Sequence, residues 1–338
     1  MSTIEATAAK ITDQPIIEQL VSHTAAEMDE VNKLLMSRVK SNVEMVPEIS
    51  NYLISAGGKR LRPMLTVASA LMFEPKNNQH IFYAAAVEFM HTATLLHDDV
   101  VDESDKRRGQ NAPRKIWGNA ASVLVGDFLL GQAFMMMVEA GNLEALGILS
   151  RSAAIIAEGE VFQLSKAKDL NTKVEDYFEV IKAKTAALFE AATEVGAMAG
   201  GATEAERKAL RTYGAELGIA FQLVDDALDY GGMSGAIGKN VGDDLREGKM
   251  TLPVLHALEN ASAEDAQFIR ENLGDQDASE DTVKRVVSTL HDCGALRATL
   301  DRAYEHANLA KSALGPLAAR YGAKLLIEIA DYCVERAV

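Results

Sequence analysis

The chain has 338 residues, with 34 Lys and Arg against 49 Asp and Glu, so its formal charge is −15. This acidity excludes a protein that binds nucleic acid through a general basic surface, and it argues against adhesion to an anionic membrane. The hydrophobic share of 48% and the charged share of 25% are typical of a globular protein and exclude a disordered one. An anionic ligand would therefore need metal ions or a local cluster of Lys and Arg.

The cysteines and the apolar segments bear on location. Cys293 and Cys333 show no CxxC spacing, so we expect no disulfide framework and a reducing compartment. Residues 1–20 carry acidic side chains and no long apolar run, unlike a signal or transit peptide. The most apolar stretch, residues 120–138, contains Asp127 and falls short of about 18 uninterrupted apolar residues. These features predict a cytoplasmic protein without a transmembrane segment.

The pattern of prolines and apolar residues predicts an all-α protein. No proline lies between Pro113 and Pro253, a stretch rich in strong helix formers. Apolar residues recur at steps of three and four, and no run alternates over the length of a strand. The expected helices are 18–46, 48–56, 61–73, 78–102, 119–139, 142–168, 173–200, 203–231, 250–260, 264–273, 279–292, 295–314 and 318–336. The expected loops are 103–118 and 232–249. No repeat or shift in composition divides the chain, so we predict one domain over residues 1–338.

Two segments, LLHDDVVD and FQLVDDALD, place three aspartates at the end of an apolar helix. Positions i and i+4 share a helix face, so Asp98 lies one turn from Asp102. The same spacing separates Asp225 from Asp229. Like charges at this spacing repel, and acids at a helix C-terminus oppose the macrodipole. A solvated acidic helix end is the alternative, but two copies exceed what chance gives in a chain of this length. Carboxylates suit Mg²⁺, which is usually shared with substrate phosphates, so two clusters on facing helices are expected to hold several Mg²⁺ around a diphosphate.

Basic residues accompany both acidic segments. The first is followed by KRRG, with Arg107 and Arg108, and the second by GKNVGDD, with Lys239. A third basic segment, GGKRLRP, opens a helix and contains Lys59 and Arg62. Arg binds phosphate through its planar fork, and Lys acts as a compact charge. Alone, GGKRLRP could be a basic surface turn, but the combination indicates diphosphate binding.

These motifs resemble those of the trans-isoprenyl diphosphate synthases, or polyprenyl synthetases. The resemblance runs from about residue 57 to residue 255 and includes GGKRLRP, LLHDDVVDESDKRRG, GNAASVLVGDF, Lys184-Thr185, FQLVDDALDY and GKNVGDDLREGK. Within that family the chain is most similar to the long-chain octaprenyl and decaprenyl diphosphate synthases. The resemblance implies an isoprenoid synthase fold, which is a single bundle of long helices around a central cavity, commonly in a homodimer.

The resemblance also implies roles for individual residues. It assigns Mg²⁺ binding to Asp98, Asp102, Asp225 and, as the weaker candidate, Asp229; the allylic diphosphate to Arg107, Lys184 and Lys239; isopentenyl diphosphate to Lys59, Arg62, His91 and Arg108; and stabilisation of the allylic cation to Thr185 and Gln222. About three Mg²⁺ per active site and these cations would neutralise the leaving diphosphate. The alkene of isopentenyl diphosphate would then attack the allylic cation, and a proton would pass to the released diphosphate. The product would serve as a quinone side chain.

Other residues carry secondary expectations. His97 is expected to support the first acidic motif by hydrogen bonding to a carboxylate or a helix carbonyl. Asp243 and Asp244 are either solvated loop charges or groups that order Lys239.

Two small residues predict a long product. Ala93 and Thr94 lie about one turn before Asp98 on its helix. In the family, bulky aromatics at these positions stop chain growth, so small ones imply about eight to ten isoprene units. The next obstruction is expected on helix 119–139, among Phe128, Phe134, Met135, Met136 and Met137, although this run could be ordinary core packing.

Several alternatives remain open at this level. A short-chain farnesyl or geranylgeranyl synthase, or a class I terpene cyclase, would share part of the motif set. A non-catalytic subunit of a heteromeric synthase would be expected to have degraded acidic motifs, and both are intact. A di-iron bundle would need two ExxH motifs, and only Glu88 to His91 fits one. A long polyprenyl product is insoluble in water, so transient membrane contact at release is a further hypothesis.

Overall fold

A computed structural model describes residues 15–55, 58–107, 109–231 and 241–336 of the chain. These residues are mainly helical, which confirms the predicted all-α class. In chain order the helices are α1 (Ile16–Arg38), α2 (Met45–Ser55), α3 (Leu61–Leu71), α4 (Gln79–Val101), α5 (Pro113–Trp117), α6 (Asn119–Glu139), α7 (Leu143–Lys166), α8 (Val174–Ile181), α9 (Ala187–Gly200), α10 (Glu204–Asp229), α11 (Asp243–Glu247), α12 (Leu252–Asn260), α13 (Ala263–Asn272), α14 (Glu280–Asp292), α15 (Ala295–Ala313) and α16 (Tyr321–Glu335). A π-helical turn (Lys182–Ala186) joins α8 to α9, a 3₁₀ turn (Gly315–Leu317) precedes α16, and strands β1 (Lys106–Arg107) and β2 (Gln110–Asn111) form an antiparallel hairpin.

The first predicted helix, 18–46, is wrong in its length. Helix α1 ends at Arg38, and the connection to α2 includes a turn in which the Ser41 hydroxyl accepts a hydrogen bond from the Val43 amide at 3.1 Å. Pro47 explains the break, because a proline inside a continuous helix removes an amide donor and clashes with the carbonyl four residues earlier. In the first turn of α2 no helical hydrogen bond is lost, so the proline is tolerated there.

Both predicted loops contain short ordered elements. The loop 103–118 holds the β1–β2 hairpin and α5, whose first residue is Pro113. Strands of two residues are too short to show an alternating pattern. For this reason the sequence did not predict them. In the loop 232–249, residues 232–240 lie outside the described part of the chain, and α11 follows them.

The predicted helix 173–200 is interrupted by the π-helical turn, which carries Lys184 and Thr185. A single π turn inserts an extra residue into a helix and is frequent at functional sites. Gly218 of α10 packs directly against this turn, since a Cβ at that position would lie 2.5 Å from the Cα of Ala186. The glycine therefore lets the backbone of α10 approach the turn more closely than any larger residue would.

The described residues form two compact units. Unit 1 comprises Met1–Ala153, Ala191–Arg211 and Pro316–Leu325, and unit 2 comprises Ala154–Glu190, Thr212–Gly315 and Leu326–Val338. The boundaries between them fall within helices α7, α9, α10 and α16 and within the 3₁₀ turn before α16. The single-domain organisation stays a prediction.

Unit 1 is built around α4, which packs against α1, α3 and α6. Its fully buried side chains include Tyr83, Phe89 and Leu96. The unit 1 segment of α9 packs on α3 through Gly196, where a Cβ would lie only 2.2 Å from the carbonyl oxygen of Thr66. Burial of this apolar area stabilises unit 1 and holds the C-terminal end of α4, with its aspartates, in place.

Unit 2 has its own buried core. The unit 2 segment of α10 contributes Leu217 and Leu223, and Tyr230 is buried just after it. Helix α12 packs against α13 and α15. The hydroxyl of Tyr213 donates to the carbonyl of Leu326 at 2.7 Å, which joins α10 to the unit 2 segment of α16. These contacts fix the helix that carries the second acidic motif.

Helix α6 has a markedly apolar composition. Among the described helices it alone is long and apolar enough to cross a membrane by length and hydropathy, and 39% of its apolar stretch is buried. A core helix packed on one side passes the same test, and α6 packs against α4 and buries Val125 and Leu129. Its other side exposes Leu124, Met135 and Val138.

Acid sensitivity should follow from a buried histidine in unit 1. His80 is 7% exposed, its Nδ1 is buried without a hydrogen-bond partner among the described residues, and burial lowers its pKa despite the carboxylate of Glu27. The unfolded chain therefore binds a proton that the folded one resists, so stability is lost as the pH falls through the unfolded value of 6.5. His80→Gln should show a smaller loss of stability than the unaltered chain between about pH 7.5 and about pH 5.5, measured from urea midpoints. The exposed His291→Gln is the control, and an unchanged pH dependence in His80→Gln would contradict the prediction.

Candidate active site

The first acidic motif ends helix α4 and divides into exposed and buried carboxylates. Asp98 and Asp102 are partly exposed, one turn apart, and the amide of Asp102 donates to the carbonyl of Asp98 at 2.8 Å. Asp99 is fully buried, and the backbone of Ser104 closes the end of the helix by donating to its carbonyl at 3.0 Å. Only the two partly exposed carboxylates are accessible to a metal ion and its water ligands.

The buried Asp99 is neutralised from the hairpin. Arg107 on β1 donates from Nε at 2.8 Å and from Nη2 at 2.6 Å to Asp99 Oδ1. Burial raises the pKa of Asp99, while the Arg107 guanidinium lowers it and the carboxylates of Asp98 and Asp102 raise it further. Breaking a buried pair of this kind typically costs about 3 kcal/mol or more, because it leaves a charge unpaired. Arg107, predicted as a diphosphate ligand, therefore also holds the motif to the hairpin.

The loop between α4 and the hairpin is tied to α5. Arg114 donates to the carbonyl oxygens of Glu103 and Ser104 and to Asp105 Oδ1. Lys115 adds an ion pair with Asp105 at 3.1 Å. Residue Arg108, the other predicted ligand in this loop, lies outside the described residues.

His97 supports the motif from the adjoining position, as predicted. Its Nε2 lies 3.2 Å from the carbonyl oxygen of Val123 and 3.4 Å from Asp127 Oδ1, both on α6. The ring fits because α6 carries Gly126 at the contact, where a Cβ would lie 2.3 Å from His97 Nε2. This contact fixes the face of α4 that α6 covers.

Two of the residues predicted for isopentenyl diphosphate meet in unit 1. Arg62 Nη1 on α3 lies 3.4 Å from His91 Nε2 on α4. Lys59 is exposed just before α3, in a segment fixed by Arg60, which has a φ of 45° and donates to Asn32 Oδ1. The structure therefore brings Arg62 and His91 together. Lys59 lies at the surface, three residues before Arg62 in the sequence.

The residues predicted to set product length also lie on α4. Ala93 is 1% exposed, and the Thr94 hydroxyl donates to the carbonyl of His91 at 2.8 Å. On α6, Met136 and Met137 are fully buried and Met135 is 51% exposed. Phe128 and Phe134 are half-buried.

The second acidic motif, at the end of α10, has the same division. Asp225 is partly exposed, while Asp226 is 3% exposed. Arg336, just after α16, donates from Nη2 to Asp225 Oδ1 at 2.6 Å. Asp229 accepts a hydrogen bond from the Asp244 amide at 3.2 Å.

A chain of hydrogen bonds runs through the buried member of this motif. The Thr185 hydroxyl donates to Gln222 Oε1 at 2.7 Å, and Gln222 Nε2 donates to Asp226 Oδ1 at 2.7 Å. The Tyr177 hydroxyl donates to Asp226 Oδ2 at 2.6 Å. Burial raises the pKa of Asp226 to about 7, helped by the carboxylate of Asp244 and opposed by these two hydrogen bonds. The network therefore fixes the side chains of Thr185 and Gln222, which were predicted to act together.

Asp229 acts on the backbone of the following loop. Its own carbonyl accepts from the Gly242 amide at 2.9 Å, and its carboxylate caps the first turn of α11. Burial raises its pKa well above the usual range, with the carboxylate of Asp244 adding to the rise. Asp243 pairs with Arg246 at 3.3 Å, and Lys239 lies outside the described residues. These contacts give Asp229 a structural function in the loop, and its assignment as the weaker metal candidate stays a prediction.

Lys184 is held in the π-helical turn. Its Nζ lies 2.8 Å from Glu160 Oε2 on α7. The turn packs on α7 through Gly159, where a Cβ would lie 2.5 Å from the Cβ of Ala183. Glu160 was not predicted, and nothing in a single sequence connects residues 24 positions apart.

The donor set fits a hard divalent cation that is completed by a ligand. Asp98 and Asp102, and separately Asp225, offer partly exposed carboxylate oxygens, which suit Mg²⁺. Among the described residues no three Asp, Glu, His or Cys side chains converge closely enough to hold a metal by themselves. That is the expectation for Mg²⁺ bound by one or two carboxylates, water and substrate phosphates.

Sequence reasoning missed the residues that hold the acidic motifs. Arg336 contacts the predicted Asp225, and Glu160 contacts the predicted Lys184. Tyr177 contacts Asp226, and Arg114 contacts the loop that follows the first motif. All four lie outside the recognised motifs. Only Arg114 carried a signal, since it follows the basic loop by six residues.

Comparison with known proteins gives one consistent result. The sequence model of the family described as polyprenyl synthetase matches residues 43–290. The octaprenyl diphosphate synthase of Escherichia coli K12 is 44% identical over 95% of this chain and 99% of its own length.

Two solved structures have the same fold. A polyprenyl synthase from Caulobacter crescentus, complexed with calcium and isoprenyl diphosphate, is 49% identical with a TM-score of 0.91, covering 95% of this chain and 98% of that one. A decaprenyl diphosphate synthase from Rhodobacter capsulatus is 45% identical, also with a TM-score of 0.91, covering 95% and 99%. On these matches and the two acidic motifs, the chain belongs to the polyprenyl synthetase family and is a prenyltransferase.

Proposed function

We propose that this enzyme condenses isopentenyl diphosphate onto an allylic diphosphate with Mg²⁺ and makes an all-trans product of octaprenyl to decaprenyl length. The observation that carries this proposal is the repeated motif in which a buried, hydrogen-bonded aspartate adjoins partly exposed ones at a helix end. Relatives named for octaprenyl and decaprenyl products, at 44% and 45% identity, support the length.

The charges of the chain fit the first part of the reaction. Asp98, Asp102 and Asp225 would hold Mg²⁺, which supplies positive charge to the leaving diphosphate. Lys184, Arg107 and Lys239 add charge for the allylic diphosphate, and Lys59, Arg62, His91 and Arg108 bind isopentenyl diphosphate. As the allylic C–O bond ionises, the oxygen atoms of Thr185 and Gln222 face developing positive charge, and their mutual hydrogen bond fixes them.

The second part forms the new carbon–carbon bond. The alkene of isopentenyl diphosphate attacks the allylic cation, and a proton then leaves to the released diphosphate. No side chain among the described site residues is required as the base. The net result is a chain one isoprene unit longer and one inorganic diphosphate.

A product assay tests the proposed function. Purified protein with labelled isopentenyl diphosphate, farnesyl diphosphate and Mg²⁺ should give products of about eight to ten isoprene units after dephosphorylation. EDTA should abolish them, and Asp98→Asn should reduce the rate by about a hundredfold or more. Products of farnesyl or geranylgeranyl length would contradict the chain-length proposal alone. The absence of any incorporation would contradict the function and favour a non-catalytic subunit.

Product length should depend on the volume of residue 93. Ala93→Phe should shift the product to shorter chains, because an aromatic ring one turn before Asp98 blocks the path of the growing chain. Ala93→Val should give an intermediate effect. The fold is checked by thermal denaturation, since Ala93 is buried and a larger side chain strains its surroundings. A folded, active Ala93→Phe enzyme with unchanged product length would refute the length gauge.

We propose further that the enzyme works in the cytoplasm as a homodimer, with α6 at the interface. Leu124, Met135 and Val138 are 67%, 51% and 63% exposed and lie on one face of α6, with Gly131 between them. An apolar stripe of this size on an otherwise acidic protein favours a partner, and a self-complementary stripe suits a second copy related by two-fold symmetry. The alternative occupant is a membrane, which the charge of Asp127 near this face disfavours.

Charge on this stripe should dissociate the dimer. Leu124→Glu with Val138→Glu should shift the mass measured by light scattering from dimer to monomer, because the new carboxylates would be buried against each other. Leu309→Glu is the control, since Leu309 is also exposed, at 53%, but lies on α15. A wild-type protein that is monomeric, or that sediments with lipid vesicles through this face, would contradict the dimer.

A further inference from the structure

Arg336 makes a set of contacts with the second acidic motif that the family resemblance does not cover. Its Nη2 donates to Asp225 Oδ1 at 2.6 Å and to the carbonyl of Phe221 at 3.2 Å. Its guanidinium carbon lies 4.2 Å from the centroid of the Phe221 ring, and its Nε donates to the carbonyl of Cys333 at 3.0 Å. The side chain is thus fixed at both ends, between α16 and the motif helix α10.

The partner of Arg336 is a partly exposed carboxylate, since the side chain of Asp225 is 41% exposed and the adjacent Asp226 is buried. Asp225 and Asp226 are adjacent carboxylates, and like charges so close together repel. A cation on Asp225 offsets this repulsion in the absence of metal. Asp225 is also the residue assigned to Mg²⁺. Arg336 therefore supplies positive charge to the carboxylate that the metal would bind.

The two acidic motifs differ in how firmly their cations are bound. The side chains of Arg336 and Asp225 are 23% and 41% exposed, whereas Asp99, the partner of Arg107, is fully buried. Partly exposed ion pairs are weak, and buried pairs are costly to break. A divalent cation can therefore displace Arg336 but not Arg107.

We propose that Arg336 is a built-in counter-ion of the second acidic motif, which pairs with Asp225 when Mg²⁺ is absent and competes with Mg²⁺ for that carboxylate. This inference rests on the proposed function through the assignment of Asp225 as a metal ligand. Because binding is reciprocal, metal at Asp225 weakens the link between Arg336 and α10.

Metal binding and stability can be measured without turnover. The variants are Arg336→Gln and Arg336→Lys, and the control is Arg302→Gln, an arginine that also pairs with a carboxylate, Glu305, and lies over a ring, Phe178. Mn²⁺ binding is followed by the loss of the free-ion signal in electron paramagnetic resonance at low salt. Metal-free stability is followed by thermal denaturation.

Arg336→Gln should bind Mn²⁺ about tenfold more tightly than wild type. This is the effect expected from removing the repulsion between the single charge of Arg336 and the double charge of Mn²⁺ at about 5 Å in a water-like medium. Its metal-free Tm should fall by about 2–4 °C. Arg336→Lys keeps the charge and should bind Mn²⁺ as wild type does. Arg302→Gln should leave Mn²⁺ affinity unchanged. In an Asp225→Asn background, Arg336→Gln should have no effect on Mn²⁺ affinity, which isolates the pair.

The outcomes separate this inference from the proposed function. Unchanged or weaker Mn²⁺ binding by Arg336→Gln, in a protein whose wild type shows Mg²⁺-dependent prenyl transfer, overturns the counter-ion alone. The counter-ion proposal is also overturned if Arg336→Gln changes the Mn²⁺ affinity equally in the Asp225→Asn background and in the wild-type background. A wild type that neither binds Mn²⁺ nor transfers prenyl groups overturns the proposed function first.

Discussion

Repulsion between aspartates at the ends of α4 and α10 is the constraint around which the rest of the structure is arranged. Each motif places one aspartate in the interior, and each interior aspartate has dedicated donors: Arg107 for Asp99, and Tyr177 with Gln222 for Asp226. The partly exposed aspartates Asp98, Asp102 and Asp225 carry the carboxylates proposed to bind Mg²⁺. Without those donors the buried charges would destabilise the helix ends, because an unpaired buried carboxylate costs several kcal/mol.

The donors are positioned by elements that make no contact with a metal. The hairpin of β1 and β2 carries Arg107, and Arg114 ties the preceding loop to α5. In unit 2 the π-helical turn carries Thr185, and Gly218 allows α10 to come close enough for Gln222 to reach it. Site geometry in each unit is therefore set by turns and close backbone contacts rather than by the acidic residues themselves.

Much of this could be predicted from the sequence, and the failures have physical causes. Helix α6 was predicted with the bounds 119–139 that it has, because a long apolar segment between Gly118 and a glycine turn has a strong helical signal. The proposed metal ligands could be singled out in the sequence because like charges on one helix face oppose stability. By contrast, the break at 39–44 depends on one proline, and the π-helical turn has no sequence signature. Tyr177 and Arg336 were missed because tertiary contact over 49 and 111 positions leaves no local pattern.

The two motifs also differ in what the metal-free protein must tolerate. The first keeps its buried ion pair whether or not metal is present, since Arg107 bonds to an aspartate that is not itself exposed. In the second motif, the partly exposed Asp225 forms an ion pair with Arg336, and Asp229 accepts a hydrogen bond from the backbone of the next loop. Any ligand that binds the folded state alone stabilises it by mass action, and the gain is reduced by whatever native contact the ligand must displace. Metal at the second motif should therefore stabilise the protein by less than its binding to Asp225 alone would give, because it replaces an ion pair that already exists.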